Sequence, residues 1–186
     1  MHKTFTAAAL FASSLAVGSA PAVAGNDGVI EITGNIVATT CLVEGKPPGG
    51  GNASKAVALG DISAGVLANA GDVAGDRGFT IRIGGDADTN CTDGVTAKVR
   101  FDPASPLLDR STGRLNVDPG ANAASGVQIQ MANADGSPIN MYTQDSQGVI
   151  VAGHVAEIPL IARYYSLGSV KGGAANSRVG FQVVYQ

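Results

Sequence analysis

The sequence contains no tryptophan, two cysteines, two histidines and few charged side chains. Of its 186 residues 15% are charged, and the formal net charge is −3. A chain without a basic excess cannot neutralise a row of phosphates, so we expect no binding to nucleic acid. Aromatic residues make up 5% of the chain, which leaves few rings on which a ligand could stack.

The scarcity of histidine restricts the chemistry that the chain could catalyse. His2 lies in a leader that we expect to be removed, so His154 is the histidine that remains. The sequence has no HExxH, GxSxG, P-loop or GxGxxG motif, and a nucleophilic triad would have to use His154. A lone histidine in a glycine-containing loop is usually a solvated turn residue. We therefore predict no catalytic residue, no enzymatic activity and no cofactor.

A short acidic stretch resembles the start of a calcium loop but does not complete one. Asp86, Asp88 and Asn90 place oxygen atoms at alternate positions. The sixth position is Cys91 where an EF-hand requires glycine, and the twelfth is Ala97 where it requires glutamate. We therefore predict a polar turn between strands here, and no metal site.

No long hydrophobic run follows the first residues of the chain, which read as a secretory signal. His2 and Lys3 form a positive start, residues 7–17 an apolar stretch, and residues 22–24 a small-x-small cleavage site. The apolar stretch is too short to span a bilayer, which needs about 20 residues. We expect residues 1–24 to be cleaved, the mature chain to begin at Gly25, and no membrane insertion.

Export places the two cysteines in an oxidising compartment, where an even pair can form a disulfide. Cys41 and Cys91 are separated by 91 − 41 = 50 positions. A metal site would need more ligands at short spacings, and a thiol nucleophile would need a histidine base. We expect the disulfide, which on the chain-entropy model contributes about 4 kcal/mol.

Apolar and polar residues alternate with a period of two along most of the chain, which predicts strands with one buried face. No stretch shows a sustained 3.6-residue repeat, although residues 63–70 could form a short helical turn. Turn-rich stretches separate the alternating runs, including residues 84–93, 102–106 and 168–176. The predicted strands are Val57–Leu59, Phe79–Ile83, Val95–Phe101, Gly126–Met131 and Ile158–Tyr164. This spacing predicts one antiparallel β-sandwich.

The mature chain would begin and end in strongly alternating runs. At the N-terminal end Ile30, Ile32, Gly34 and Ile36 share one side, and at the C-terminal end Val179–Tyr185 alternates as cleanly. Strands at both ends of a chain leave sheet edges without a cap, and such edges invite pairing with another chain.

An exposed aromatic ring can act as a platform on which a sugar stacks. Most rings fall on the apolar faces of predicted strands. Tyr142 and Tyr165 are the two candidates that remain.

Taken together, these features resemble one known family, the pilus subunits (pilins) assembled by the chaperone–usher pathway, and in particular the major subunit of type 1 fimbriae. The similarity extends over essentially the whole mature chain. The matching features are the run Gly28–Ile36, the cysteine Cys41 shortly after it, Cys91 after the strand Phe79–Ile83, the ARYY segment Ala162–Tyr165, Gly173 fourteenth from the end, and the penultimate Tyr185.

The resemblance implies an all-β fold: an incomplete immunoglobulin-like antiparallel sandwich with one disulfide. Its last strand is missing and is supplied in trans, so a groove between two strand edges exposes the core. In that family a periplasmic chaperone fills the groove first. At the outer-membrane usher, the N-terminal extension of the next subunit replaces the chaperone. The resemblance thus implies a structural subunit of a surface fimbria that mediates adhesion, exported through the periplasm, with neighbouring pilus subunits as its partners in a head-to-tail polymer.

The resemblance also assigns roles to residues of this chain. Residues 25–37 would be the donor-strand extension, and residues 38–186 the pilin domain. The donor residues would be Ile30, Ile32, Gly34 and Ile36, with Gly34 where there is no room for a side chain. The groove and chaperone-recognition residues would be Gly173, Val179, Phe181, Val183 and Tyr185.

Several alternatives to this interpretation stay open. The N-terminal run could be an ordinary first strand of a complete sandwich, or could fold into the groove of its own chain. The chain could be a minor adaptor, or a single-domain adhesin or lectin-like subunit of the same pilus. A secreted hydrolase is disfavoured by the single remaining histidine.

Overall fold

The computed structural model describes residues 40–48 and 53–186. Their regular structure consists of nine β-strands and one 3-10 helix, Ala64–Leu67. In chain order the strands are β1 Val73–Gly84, β2 Thr96–Phe101, β3 Leu108–Asp109, β4 Arg114–Asn116, β5 Ser125–Asn133, β6 Pro138–Ile139, β7 Val149–Ile150, β8 Val155–Lys171 and β9 Phe181–Tyr185.

These strands form two antiparallel sheets. The larger sheet has the order β1-β8-β5-β4-β3, with β6 paired to β5, and the smaller sheet has the order β7-β2-β9. β8 pairs with β1 on one side and with β5 on the other. It is therefore an interior strand of the larger sheet.

Side chains of both sheets meet in one core. β2 shows the expected alternation, because Ala97, Val99 and Phe101 are buried while Arg100 is exposed. The core residues contributed by the long strands are Ile81, Ile83, Ala97, Val99, Phe101, Ile129, Met131, Ile158, Leu160 and Ala162. Burial of these side chains is the main force that holds the two sheets together.

The strand β5 departs from its predicted pattern. Its sequence places Gln128 and Gln130 on the face expected to be wet, yet the two side chains are 2% and 7% exposed. Arg114 and Arg163 reach over them from neighbouring strands, and the Nε atom of each donates to a glutamine Oε1 at 2.8 and 2.9 Å respectively. The prediction was wrong because a central strand is covered by long side chains from both neighbours.

Two local predictions are confirmed. Cys41 and Cys91 form a disulfide, and both are fully buried. The predicted helical turn is the 3-10 helix Ala64–Leu67, which begins after Ser63, whose hydroxyl accepts a hydrogen bond from Gly65 N at 3.2 Å.

Other boundaries differ from the prediction. The sequence predicts a turn at residues 168–171, but β8 continues through them because Lys171 still pairs with Ser125. The predicted strand Val57–Leu59 has alternating exposure but belongs to no ladder. Within the described residues, no helix is long and apolar enough to cross a membrane.

Candidate functional site

A long cleft opens along the C-terminal segment of the chain. Its volume is about 1130 Å³, and it lies between residues 53–61 on one side and residues 173–185 on the other. The two walls run in opposite directions: the first leads toward the 3-10 helix, and the second returns from Gly173 toward Gln186, which pairs with Thr96. The cleft therefore has the length and shape of an extended segment.

The floor of the cleft is the hydrophobic core itself. Side chains of both sheets line it, and an apolar surface of this kind is costly to leave in water. The core residues that line the cleft are Val43, Ile81, Val99, Phe101, Leu115, Ile129, Met131, Leu160 and Ala162. Among the described residues, no strand covers this floor.

The C-terminal wall presents apolar side chains to this floor. Val179, Phe181, Val183 and Tyr185 are half-buried and pack on the core, whereas Gln182 between them is exposed. Together with Gly173 they all line the cleft. The structure thus brings the five predicted groove residues to one wall.

The backbone of this wall has one unpaired edge. Thr96 and Gln186 exchange both backbone hydrogen bonds, at 2.8 and 2.9 Å. Since bonded and non-bonded pairs alternate in an antiparallel ladder, the N–H and C=O groups of Phe181, Val183 and Tyr185 point away from β2. Among the described residues no strand pairs with that side of β9, so it is open to another strand.

The opposite wall is an extended segment without a ladder of its own. Its residues Ala53, Val57 and Leu59 turn toward the core. Side chains of the larger sheet hold its backbone: the Tyr164 hydroxyl donates to Gly60 O at 3.0 Å, and Arg77 Nε donates to Leu59 O at 3.4 Å. From the sequence these residues are assigned to no site. The signal that could have indicated one is the alternation of apolar and polar residues along the segment.

Gly173 lies where the C-terminal wall begins. A Cβ atom built on it would be 2.6 Å from both Ala124 N and Asn122 O. Ala174 exchanges backbone hydrogen bonds with the same stretch, donating to Asn122 O at 2.8 Å and accepting from Ala124 N at 2.9 Å. The glycine therefore allows the close backbone approach that anchors this end of the wall.

Tyr185 marks the other end of the cleft, near the disulfide. Burial, together with the nearby Asp88 carboxylate, raises the pKa of Tyr185 to about 12. Its hydroxyl oxygen is buried and has no hydrogen-bond partner among the described residues. Asp88 Oδ2 accepts a hydrogen bond from Leu42 N at 2.7 Å, which ties this turn to the segment that carries Cys41.

The predicted donor residues Ile30, Ile32, Gly34 and Ile36 lie outside the described residues, as do residues 25–37 as a whole.

His154 and the acidic residues near it, which are the candidates for catalysis and metal binding, make hydrogen bonds within a turn. His154 has a φ of 63°, its backbone N–H donates to Asp93 Oδ1 at 2.7 Å, and its Nδ1 lies 2.8 Å from Cys91 O. The hydrogen bond from His154 N lowers the pKa of Asp93. In residues 40–48 and 53–186 no group of three or more His, Cys, Asp or Glu side chains is placed to hold a metal ion. These contacts organise a turn.

The two candidate sugar platforms differ in access. The guanidinium of Arg114 lies 3.8 Å from the ring centroid of Tyr165 and covers that face. Tyr142 is 42% exposed, and the guanidinium of Arg110 lies farther from its ring centroid, at 5.7 Å. Tyr142 lines a shallow hollow of about 260 Å³, beside the pair in which Arg100 donates twice to Asp145, both at 2.8 Å.

Comparison with known sequences identifies relatives across nearly the whole chain. Residues 30–186 match the family described as fimbrial protein. The chain is 34% identical to the serotype 2 fimbrial subunit of Bordetella pertussis, covering 86% of this chain and 87% of that protein. It is 33% identical to the F17 fimbrial protein of Escherichia coli, covering 92% and 94%.

Comparison with solved structures supports the fold. A subunit in the structure of a chaperone–usher pilus superposes with a TM-score of 0.55 at 20% identity, covering 90% of this chain and all of that one. The predicted all-β, immunoglobulin-like pilin fold with one disulfide is thereby confirmed. Since the family match covers most of the residues and the relatives are aligned over most of their length, this chain belongs to the fimbrial protein family and is a subunit of a surface fimbria.

Proposed function

We propose that the cleft binds the N-terminal segment of a second copy of the chain, and that repetition of this joint builds the filament. The observation that carries the proposal is the open core beneath β9, whose outer backbone edge pairs with no strand of the described residues. A strand placed there would cover the apolar floor and bond to that edge at the same time. Burial of apolar side chains and pairing with an open backbone edge are the two features of strand addition to a sheet.

The chain itself contains a segment with the required pattern. Ile30, Ile32 and Ile36 have the same parity in the run Gly28–Ile36, so an extended conformation would turn all three toward the floor. Burial of one isoleucine side chain contributes about 1.5 to 3 kcal/mol. Gly34 lies between them, where we propose that the cleft has no room for a side chain.

Donor and acceptor on one chain produce a polymer. In this scheme residues 25–37 are the donor extension, and residues 38–186 are the domain that carries the cleft. The two surfaces differ, so the contact is head-to-tail and propagates without closing. Adhesion would then be a property of the assembled filament, and the role of each subunit would be structural.

A subunit that has not yet joined a neighbour needs protection. Its open cleft exposes core side chains, and large exposed apolar surfaces lead to aggregation. We propose that residues 1–24 direct export, that a periplasmic chaperone lends a strand to the cleft, and that the exchange for the next subunit takes place at the outer-membrane usher. The groove residues Gly173, Val179, Phe181, Val183 and Tyr185 would contact each of these strands in turn.

Photo-cross-linking in assembled filaments tests the joint. A photoreactive amino acid in place of Ile32 should react with residues 179–185 or with the floor residues of a second copy, giving a ladder of covalent oligomers. The same probe in place of Thr33, which has the opposite parity, should give at most a minor amount of that product. Reaction of the Ile32 probe within its own chain, or with a segment of a neighbour that does not line the cleft, would refute the joint.

A second candidate function, binding of a sugar, is favoured by the exposed ring of Tyr142 beside the Arg100–Asp145 pair. An exposed aromatic face with fixed polar neighbours can stack on a sugar ring. Saturation-transfer NMR of the assembled fimbriae with a panel of neutral saccharides would detect it. The signal should disappear in a Tyr142→Ala variant, and absence of any signal from the unaltered fimbriae would exclude this function.

A further inference from the structure

The domain has two distinct ends along the direction of its strands. At one end, named here the disulfide end, Thr40 N donates to Asn90 O at 3.4 Å, next to the Cys41–Cys91 bridge. β1 ends there at Gly84, where it pairs with Val155 at the start of β8. The C-terminal wall of the cleft also finishes at this end.

The opposite end, named here the helix end, is formed by the 3-10 helix, the start of β1 and the end of β8. Ser166 connects the three elements. Its hydroxyl donates to Leu67 O at 2.9 Å, its carbonyl accepts from Gly71 N at 2.9 Å, and its N–H donates to Asp72 O at 2.9 Å. Ser166 is fully buried. The hydrogen bonds of Ser166 therefore fix the positions of the helix and of the two strand ends relative to one another.

The covalent path of the chain determines which ends face each other in a filament. Thr40 lies at the disulfide end, so the residues before it join the domain there. In a head-to-tail polymer every joint is the same, and in the proposed filament consecutive copies also point the same way. The copy that receives the N-terminal segment therefore presents its helix end to the disulfide end of the donor.

This arrangement also gives the direction of the incoming strand. The strand would enter the cleft beside Gly173 and extend toward Tyr185, with its own C-terminal residues near the entrance. β9 runs from the entrance toward the disulfide end, so the two strands are antiparallel. The body of the donor then stands directly over the helix end.

The helix end carries apolar side chains that are open to solvent in the described residues. Val66 on the helix is 54% exposed, Val73 at the start of β1 is 42% exposed, and Leu167 near the end of β8 is 48% exposed. Single exposed apolar residues are common, but three large ones at one end of a small domain favour a contact surface.

We propose that Val66, Val73 and Leu167 form a docking surface for the disulfide end of the neighbouring copy. The surface it meets would consist of residues 85–93 and His154. That surface is held by the disulfide, by the bond from His154 N to Asp93 and by the bond from Leu42 N to Asp88. The inference rests on the proposed function, since it takes the direction of assembly from the donor segment.

The contact would make each joint bipartite. The inserted strand connects two copies through a segment that is joined to its own domain at Thr40. Contact between the two ends would restrict rotation of one copy relative to the next. A filament with this contact should therefore be stiffer than one connected by the strand alone.

Cross-linking from the helix end tests the proposal. A photoreactive residue in place of Leu167, in assembled full-length filaments, should form a dimer whose cross-linked peptide contains residues 85–93 or His154 of the other copy. The probe in place of Tyr142, which is exposed elsewhere on the domain, should not give this product. A Leu167 probe that reacts only with its own chain, or with another segment of a neighbour, would overturn the proposal.

A second position keeps the test decisive. The probe in place of Val66 should give the same cross-linked peptides. If neither the Leu167 nor the Val66 variant enters filaments while the Tyr142 variant does, a bulky group is excluded from this end and docking is supported. If the Ile32 probe still reaches β9 but neither end probe reaches residues 85–93 or His154, the strand joint stands and the end contact is wrong. Failure of the Ile32 probe would refute the joint itself.

Discussion

A Cβ atom on Gly173 would lie 2.6 Å from the backbone nitrogen of Ala124. A Gly173→Ala substitution must therefore push apart the two segments that meet there, and we expect it to lower the free energy of unfolding by about 1 to 3 kcal/mol. Gly172 is the matched control, because a Cβ there meets no atom within 4 Å. Urea unfolding of both variants measures the difference. Equal midpoints would contradict the close approach.

A charge placed in the cleft should prevent assembly. The half-buried side chain of Val183 faces the core, so Val183→Asp would put a carboxylate in the path of the incoming strand. We expect at least a tenfold loss of this subunit from sheared surface filaments, measured by quantitative immunoblotting. Gln182→Glu introduces the same charge on the exposed side of β9 and should leave the yield unchanged. Similar losses for the two variants would argue against the cleft.

Removal of the disulfide should destabilise the domain. The Cys41→Ala, Cys91→Ala double variant frees a loop of 50 residues, and the expected loss is about 4 kcal/mol of unfolding free energy. The measurement is a comparison of urea midpoints for the variant and for the oxidised protein. A variant with an unchanged midpoint would show that the bridge contributes nothing to stability.

The hydroxyl groups of Tyr164 and Tyr185 should contribute differently to the free energy of unfolding. Tyr164→Phe removes the hydrogen bond to Gly60 O and should cost about 1 kcal/mol. Tyr185→Phe removes a buried hydroxyl that has no partner among the described residues, so stability should stay the same or rise. Thermal unfolding of both variants provides the test. A larger loss for Tyr185→Phe than for Tyr164→Phe would contradict this.

Low pH should lower the free energy of unfolding, in part because Asp109 becomes protonated. Its carboxylate accepts hydrogen bonds from the Ser111 hydroxyl at 2.6 Å and from Gln128 Nε2 at 2.9 Å, and these bonds hold the pKa of Asp109 well below its usual value. A lowered pKa in the folded state adds stability above the unfolded-state pKa of about 3.9. This stability is lost as the pH falls from there toward the folded-state pKa.

The matching variant is Asp109→Asn. It should lower the free energy of unfolding at pH 7 and reduce its further loss below about pH 4, compared with the unaltered protein. Asp86→Asn is the control, because the Asp86 side chain is 96% exposed. Urea unfolding at a series of pH values gives the comparison. Parallel pH profiles for the Asp109 variant and the unaltered protein would refute the assignment.

The sequence predicted the strands wherever one face is buried and the other is wet. β2 is the clearest case, since Val99 and Phe101 alternate with the exposed Arg100. The disulfide followed from the inferred export of a chain with two cysteines. The cleft residues of β9 could be predicted because alternation, together with the family resemblance, pointed to Phe181, Val183 and Tyr185.

What the sequence could not provide was the pairing of strands. Nothing local to Val57 and Leu59 tells whether their alternating segment has a partner, because a missing neighbour is a property of the whole fold. Likewise, Gln128 reads as a surface residue until β4 brings Arg114 over it. Residues 168–171 continue β8 only because Lys171 meets Ser125 across the sheet.

The lengthwise course of the cleft has a mechanical consequence. In a filament joined as proposed, tension would act along the inserted strand and β9, parallel to both. All hydrogen bonds of that ladder would then carry the load together, instead of opening one after another as in a zipper. Such a joint resists pulling far better than it resists peeling, which suits a fibre that is loaded along its length.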